Sequence, residues 1–300
     1  MKTYRIIPFI ILIAITLLTA CEKDADNVKP FKVDSKLVVH AFISPQDTVL
    51  KVHLQKSQPA LGRRLSEEQL QVPNANVTIS DGSSAVTLTY DPDHNAYFSK
   101  LREWAIVAGK TYTLKVTAPG GYAATASCSV PEATGIAITD VSTSTTTETD
   151  YYGGEMKRYK VAYKWTDAPG VNNYYRTLAA KVFWHKNYYG DRQRVAEPAH
   201  LDRGKPGLYK DDKAQGGVLT SDDFYYYQGA QSPDIEKQYQ LHLLLVVSDK
   251  NYYLYQDAQY KQSQSNGNPF AEPVVMYSNI EGGLGVFAGY NQVEALIDME

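Results

Sequence analysis

The chain has 300 residues, 43% of them apolar and 21% charged, with a formal net charge of −3 and two cysteines. That apolar content is too high for a disordered chain, and two cysteines are too few for a disulfide-built scaffold. No block of Lys and Arg occurs, which argues against nucleic acid as the main partner.

Lys2 and Arg5 precede an apolar run over 6–18, which ends in Leu18, Thr19, Ala20 and Cys21. This is the charged, apolar, small-residue order of a cleaved export signal, and the run is shorter than the ~20 apolar residues of a spanning helix. Leu18-Thr19-Ala20-Cys21 resembles a bacterial lipobox. That resemblance implies cleavage before Cys21 and acyl chains, palmitate among them, attached to it; each buried CH₂ contributes ~0.8 kcal/mol to membrane anchoring. The alternative is a secretory signal with an incidental cysteine. Residues 1–20 are read as the signal peptide and 21–35 as a lipidated tether. Without Lys2 and Arg5 the remainder holds 28 basic against 33 acidic residues, a net charge of −5. Glu22, Lys23, Asp24, Ala25 and Asp26 resemble the acidic export signal of surface-exposed lipoproteins of the Bacteroidota, with a plain polar spacer as the alternative.

From residue 36 to 131 the pattern has period two. Leu50, Val52 and Leu54 alternate with Lys51, His53 and Gln55, and Tyr112, Leu114 and Val116 alternate with Thr113, Lys115 and Thr117. Turn formers bound the runs at Asp81-Gly82, Asp91-Pro92 and Pro119-Gly120-Gly121. One-sided strands at this spacing predict an antiparallel sandwich of about seven strands, the size of an immunoglobulin-like domain. Cys128 falls on the apolar face of its run and is expected to be a buried small hydrophobe, not a catalytic thiol.

Residues 132–300 are read as a second β-sandwich. Ser142 to Thr149 form a Ser/Thr-rich tract, expected as an exposed strand or loop. Tyr159 to Trp165 and Tyr174 to Trp184 are β-prone, and Tyr239 to Val247 is apolar on both faces, which places it centrally in a sheet. Near 251–265 Tyr252, Tyr255 and Gln259 recur at helical spacing, Asp249 is placed to cap the start, and Gly267 follows the end, so one helix is predicted. Two strands are expected after it, at Val274–Tyr277 and Leu284–Phe287.

No catalytic constellation emerges, and no cofactor or metal site is expected. His40, His53, His94, His185, His200 and His242 show no metal-ligand spacing, and no Gly-x-Ser-x-Gly elbow occurs. Asp91, Asp93 and Asn95 begin like a calcium loop, but Ala96 stands where glycine is required, and a hairpin turn explains the run better. The acidic pairs Asp211-Asp212 and Asp222-Asp223 read as loop charges. Tyrosine is the unusual feature: 19 of 24 lie after residue 150, many doubled. A doubled tyrosine in a strand sends one ring inward and one outward. The outward rings among Tyr174, Tyr175, Tyr188, Tyr189, Tyr225, Tyr226 and Tyr227 are candidates for ligand or partner contact. The alternative is that tyrosine simply suits half-buried strands.

The stretches Lys36-Leu37-Val38-Val39, Val72-Pro73-Asn74-Ala75-Asn76 and Ala108-Gly109-Lys110-Thr111-Tyr112, with Asn268-Pro269-Phe270 and Tyr277-Ser278-Asn279-Ile280-Glu281-Gly282-Gly283-Leu284-Gly285 near the end, resemble a Bacteroidota lipoprotein family, the domain of unknown function DUF4249. The resemblance implies an outer-membrane setting and, by association, a TonB-dependent transporter as partner. The residues of the last stretch read as structural, with prolines holding the backbone extended and glycines permitting a close approach.

The expected fold is thus mainly β, two consecutive antiparallel β-sandwich domains, the first immunoglobulin-like and the second with one helix. The expected role is a non-catalytic lipoprotein of the outer membrane, anchored through Cys21, that binds a ligand or partner beside a transporter. The rival expectations are a surface hydrolase acting on extracellular polymers and a structural or adhesive surface protein.

Overall fold

The computed structural model describes residues 34–58, 64–100, 104–149, 151, 153–169, 172–186, 189–202, 204–213, 217–228, 235–265 and 272–299. The signal peptide, Cys21 and Tyr188 lie outside these residues. The chain is mainly β.

Seven strands form the first sandwich: β1 (Leu37–Ile43), β2 (Val49–Lys56), β3 (Asn76–Ser80), β4 (Ala85–Asp91), β5 (Ala96–Lys100), β6 (Thr111–Ala118) and β7 (Tyr122–Ser129). Their order is β1-β2-β5-β4 on one side and β3-β6-β7 on the other, joined through the β3–β4 hairpin. This is the ABED and CFG arrangement of a constant-type immunoglobulin domain. Alternate residues point inward, so Leu37, Val39, Leu50, Val52, Val77, Ile79, Leu114 and Val116 meet in a largely aliphatic core. Each such side chain contributes roughly 1.5–3 kcal/mol on full burial. Cys128 is 3% exposed in the same core. A short helix α1 (Glu67–Leu70), missed by periodicity, starts where the Ser66 N–H donates to Gln69 Oε1 at 3.0 Å.

The second sandwich stacks a sheet of β8 (Ile138–Thr149), β9 (Glu155–Thr166), β12 (His200–Leu201), β14 (Val218–Thr220) and β15 (Phe224–Gln228) on one formed by β10 (Tyr174–Lys186), β11 (Arg192–Pro198), β16 (Ile235–Ser248) and β17 (Gly283–Met299), with β13 (Leu208–Lys210) beside β10. The Ser/Thr tract is the long edge strand β8. Trp165, Tyr163, Phe224 and Tyr226 of one sheet meet Tyr175, Leu241, Leu243 and Leu245 of the other. The opposite face of β16 is also covered: Val246 packs with Tyr252 and Tyr255 of helix α2 (Lys250–Ser265). Double-sided burial explains the unbroken apolar run of β16.

Residues 272–280 contain no strand: Pro273 lacks an N–H to give a ladder, and the segment leads to the edge of β7, where Asn279 donates to the Ser127 carbonyl. β17 in turn is far longer than the apolar patch at Leu284–Phe287 suggests, because Gln292, Glu294 and Asp298 point outward while Val293, Ala295 and Ile297 pack inward. Its first half, Gly283 to Gly289, pairs with β1 in parallel, the one departure from antiparallel pairing among the described strands; its second half, from Tyr290, pairs with β16. The final strand therefore serves both sandwiches. Two glycines allow this. A Cβ on Gly285, which has φ +106°, would stand 2.0 Å from the Val39 carbonyl oxygen, and one on Gly289 would stand 2.3 Å from that of Ser129.

Candidate functional site

The doubled tyrosines divide between inside and outside as strand geometry requires. Tyr175 is fully buried and donates its hydroxyl to the Asp167 carboxylate, while Tyr174 faces outward toward α2, its ring 5.1 Å from that of Tyr253. Tyr226 is buried, stacked on Tyr159 at 4.8 Å with its hydroxyl 3.0 Å from that of Tyr239. Tyr225 points out beneath the Arg158 guanidinium, 3.9 Å from the ring centroid, and Tyr227 is 43% exposed. Tyr189 is 85% exposed in a turn. The outward rings do not converge: Tyr174 lies on the helix-covered face of the second sandwich, and Tyr225 and Tyr227 lie on its opposite face. Burial pushes the hydroxyl pKa values of Tyr175 and Tyr226 up, so both stay protonated donors.

A cleft of about 490 Å³ opens where β7, the residues before β10 and the start of α2 meet. Its lining includes Ser127, Ser129, Asn172, Asn173, Tyr174, Asp249 and Asn251. Asp249 organises it. One carboxylate oxygen accepts the Tyr252 N–H at 2.8 Å and caps α2; the other accepts from the Ser129 N–H at 3.3 Å and from Asn251 Nδ2 at 3.2 Å. Asn251 Nδ2 also donates to the Ser127 carbonyl, and Tyr277 Oη donates to Asn251 Oδ1 at 2.7 Å. Burial raises the Asp249 pKa to about 6, against the backbone and side-chain hydrogen bonds that lower it. Sequence reading found Asp249 as a helix cap but not as a cleft wall, because the other wall comes from β7, more than a hundred residues earlier.

The cleft offers amides, hydroxyls and one desolvated carboxylate. Cys128, also in its lining, has its thiol pKa raised by burial and by Asp249, so it stays a protonated, unreactive thiol at neutral pH. Several of the other acidic and histidine residues are engaged locally. Asp222 accepts from Tyr209 at 2.8 Å and pairs with Lys205, Asp223 pairs with Lys160 at 2.7 Å, and Asp211 accepts the Asn173 N–H at 2.8 Å. His242 pairs with Glu294 at 3.1 Å. The Asp91–Asn95 run is a hairpin between β4 and β5, with Asp91 accepting the Asp93 N–H. Among the described residues no group of three or more His, Cys, Asp and Glu side chains is placed to hold a metal, and no helix is long and apolar enough to cross a membrane.

The residues of the C-terminal signature make the joint itself. The Asn279 amide donates to the Phe287 carbonyl at 2.8 Å and accepts its N–H at 3.0 Å, Glu281 forms a bridge with Thr125 of β7, and Gly285 lies against β1. The model of the family described as Domain of unknown function (DUF4249) matches residues 25–295. The chain belongs to the DUF4249 family. No curated protein matches this DUF4249 chain. Among solved structures, one match is the crystal structure of CBD12 from CALX1.2, at 12% identity, covering 77% of this chain and 90% of that one with a TM-score of 0.18, a likeness too low to bear on fold or function.

Proposed function

We propose that this DUF4249 protein is a lipid-anchored outer-membrane lipoprotein that binds a ligand or a partner protein beside a TonB-dependent transporter and catalyses no reaction. The anchor follows from the leader and Cys21, and the acidic residues 22–26 favour display on the cell exterior. The observation that carries the binding role is the polar cleft at Asp249. Its amides are held by neighbouring carbonyls, its serine hydroxyls by those of Thr111 and Thr113, and its carboxylate is short of solvent, which suits hydrogen-bonding groups of an incoming polar molecule.

The test is affinity purification of the full chain from detergent-solubilised outer membranes, with mass spectrometry of the N-terminal peptide. The expected result is acyl mass on Cys21 and co-recovery of a TonB-dependent transporter or a small polar ligand. An unmodified thiol, or a chain recovered bare of both, overturns the proposal.

A further inference from the structure

The second sandwich is open along one side. β8 pairs only with β9, and beyond Tyr290 β17 pairs only with β16, so the outer edges of both strands have no backbone partner among the described residues. The two edges border one side of the core, where β8 and β17 come close. On that side, Val293, Ala295, Ile297 and Met299 are only partly buried, and Thr143 and Thr145 are exposed although their parity points them toward the core. Soluble sheets protect such edges with charged side chains, lysine above all, with proline, inward charges or bulges. From residue 291 to 299 β17 carries no lysine, proline, inward charge or bulge; its outward row is Gln292, Glu294, Leu296 and Asp298, so its edge charges are acidic alone, and Leu296 is 55% exposed.

The charge on these edges selects the occupant. Asp140 and Glu148 on β8 already pair with Lys164 and Arg158. On β17 no Lys or Arg pairs with the acids: Glu294 meets His242 and accepts from the Gln292 amide at 3.0 Å, and Asp298 accepts from the Gln240 amide. A second copy of β17 laid antiparallel would bring acidic rows together, and like charges across a ladder are destabilising. A strand with Lys or Arg outward and apolar residues inward would meet Glu294 and Asp298 and fill the opening.

We infer that the free edge of β17 between Gln292 and Met299 docks an extended segment of a partner protein as an added β-strand, the segment alternating basic and apolar residues. This deepens the partner-binding reading and rests on it. The recognition is strand addition, with affinity from main-chain hydrogen bonds and selectivity from alternate side chains.

The test uses the purified full-length chain in detergent and a synthetic peptide of about ten residues alternating lysine and valine, a length matched to a typical strand. Amide hydrogen exchange is expected to slow across residues 292–299 on peptide addition. Glu294→Lys combined with Asp298→Lys should weaken peptide binding by about tenfold or more, and a glutamate-for-lysine peptide should not bind. Leu296→Lys, at a well-exposed side chain, is the second variant if the double reversal fails to fold. Unchanged exchange at 292–299, equal binding of basic and acidic peptides, or edge protection in the free chain accompanied by a concentration-dependent dimer mass overturns the inference. Repeating the membrane purification with these variants separates the two claims. A partner retained by the charge-reversed chain removes this edge and keeps partner binding; peptide protection with no partner recovered from membranes does the opposite.

Discussion

In the first sandwich β1 is flanked by β17, and β7 is covered by Glu281, Asn279 and Asn251, whereas in the second the outer edges of β8 and of the last residues of β17 have no backbone partner among the described residues. The same strand produces both situations. Its first half carries Gly283, Gly285 and Gly289, and backbone without side chains slides between β1 and β7. Its second half carries ordinary alternating side chains and stays at an edge. The cores differ in parallel. The first is mostly aliphatic; the second is built on Trp165 and buried tyrosines, each hydroxyl needing a partner, as Tyr163 finds in the Leu244 carbonyl at 2.9 Å. One edge is closed by close backbone approach, and the other keeps its ladder unpaired among the described residues.

The strongest way to break this comparison is Gly285→Ala. Positive φ together with a 2.0 Å approach to Val39 should cost about 4 kcal/mol, read as a drop in urea midpoint, and should expose β1 to hydrogen exchange before the second sandwich opens. A loss under about 1 kcal/mol would mean that β17 does not press on β1.

Asp249 sharpens it at the junction. Its folded pKa of about 6 lies above the ordinary 3.8, so the native state binds the proton more tightly than the unfolded chain. Its contribution to stability is full below about pH 4 and is lost as pH rises through about 6. The stability difference between the native chain and Asp249→Asn should therefore change by about 2–3 kcal/mol between pH 4 and pH 7, the native chain losing ground as pH rises. Thermal melts of both proteins at the two pH values measure it; a pH-independent difference would place the carboxylate in solvent.

Asn279→Ala leaves the N–H and carbonyl of Phe287 unpaired and should cost about 2 kcal/mol in urea unfolding. In the second core, Tyr226→Phe removes one hydroxyl of a buried pair and should cost about 1 kcal/mol. Tyr227→Ala, at an outward ring, should change stability by no more than about 0.5 kcal/mol, so any loss of partner or ligand binding it causes reports on contact alone.

Much of the architecture was legible in the residue pattern because strand and helix periods are local. The alternation at Leu50–Gln55 marked a one-sided strand, the two apolar faces of β16 marked a central one, and the tyrosine spacing at Tyr252 and Tyr255 with Asp249 before it marked α2. The site was legible only in fragments. Parity told that Tyr225 and Tyr226 turn to opposite sides, but not which turns inward, nor that Tyr174 and Tyr227 lie on opposite faces, since faces are assigned when sheets stack.

By itself the sequence determined the β class, the immunoglobulin-like first half, the helix with its cap, the burial of Cys128 and the family, all of which rest on short-range patterns of polarity, turn residues and motif. Only the tertiary structure decided that β17 is shared, that Asp249 meets Ser129 across 120 residues, and which ladder edges stay open. Pairing between distant strands is chosen by backbone hydrogen bonds, and every residue but proline carries the same backbone donor and acceptor, so the choice leaves almost no trace in side-chain identity except the glycines that let two backbones touch.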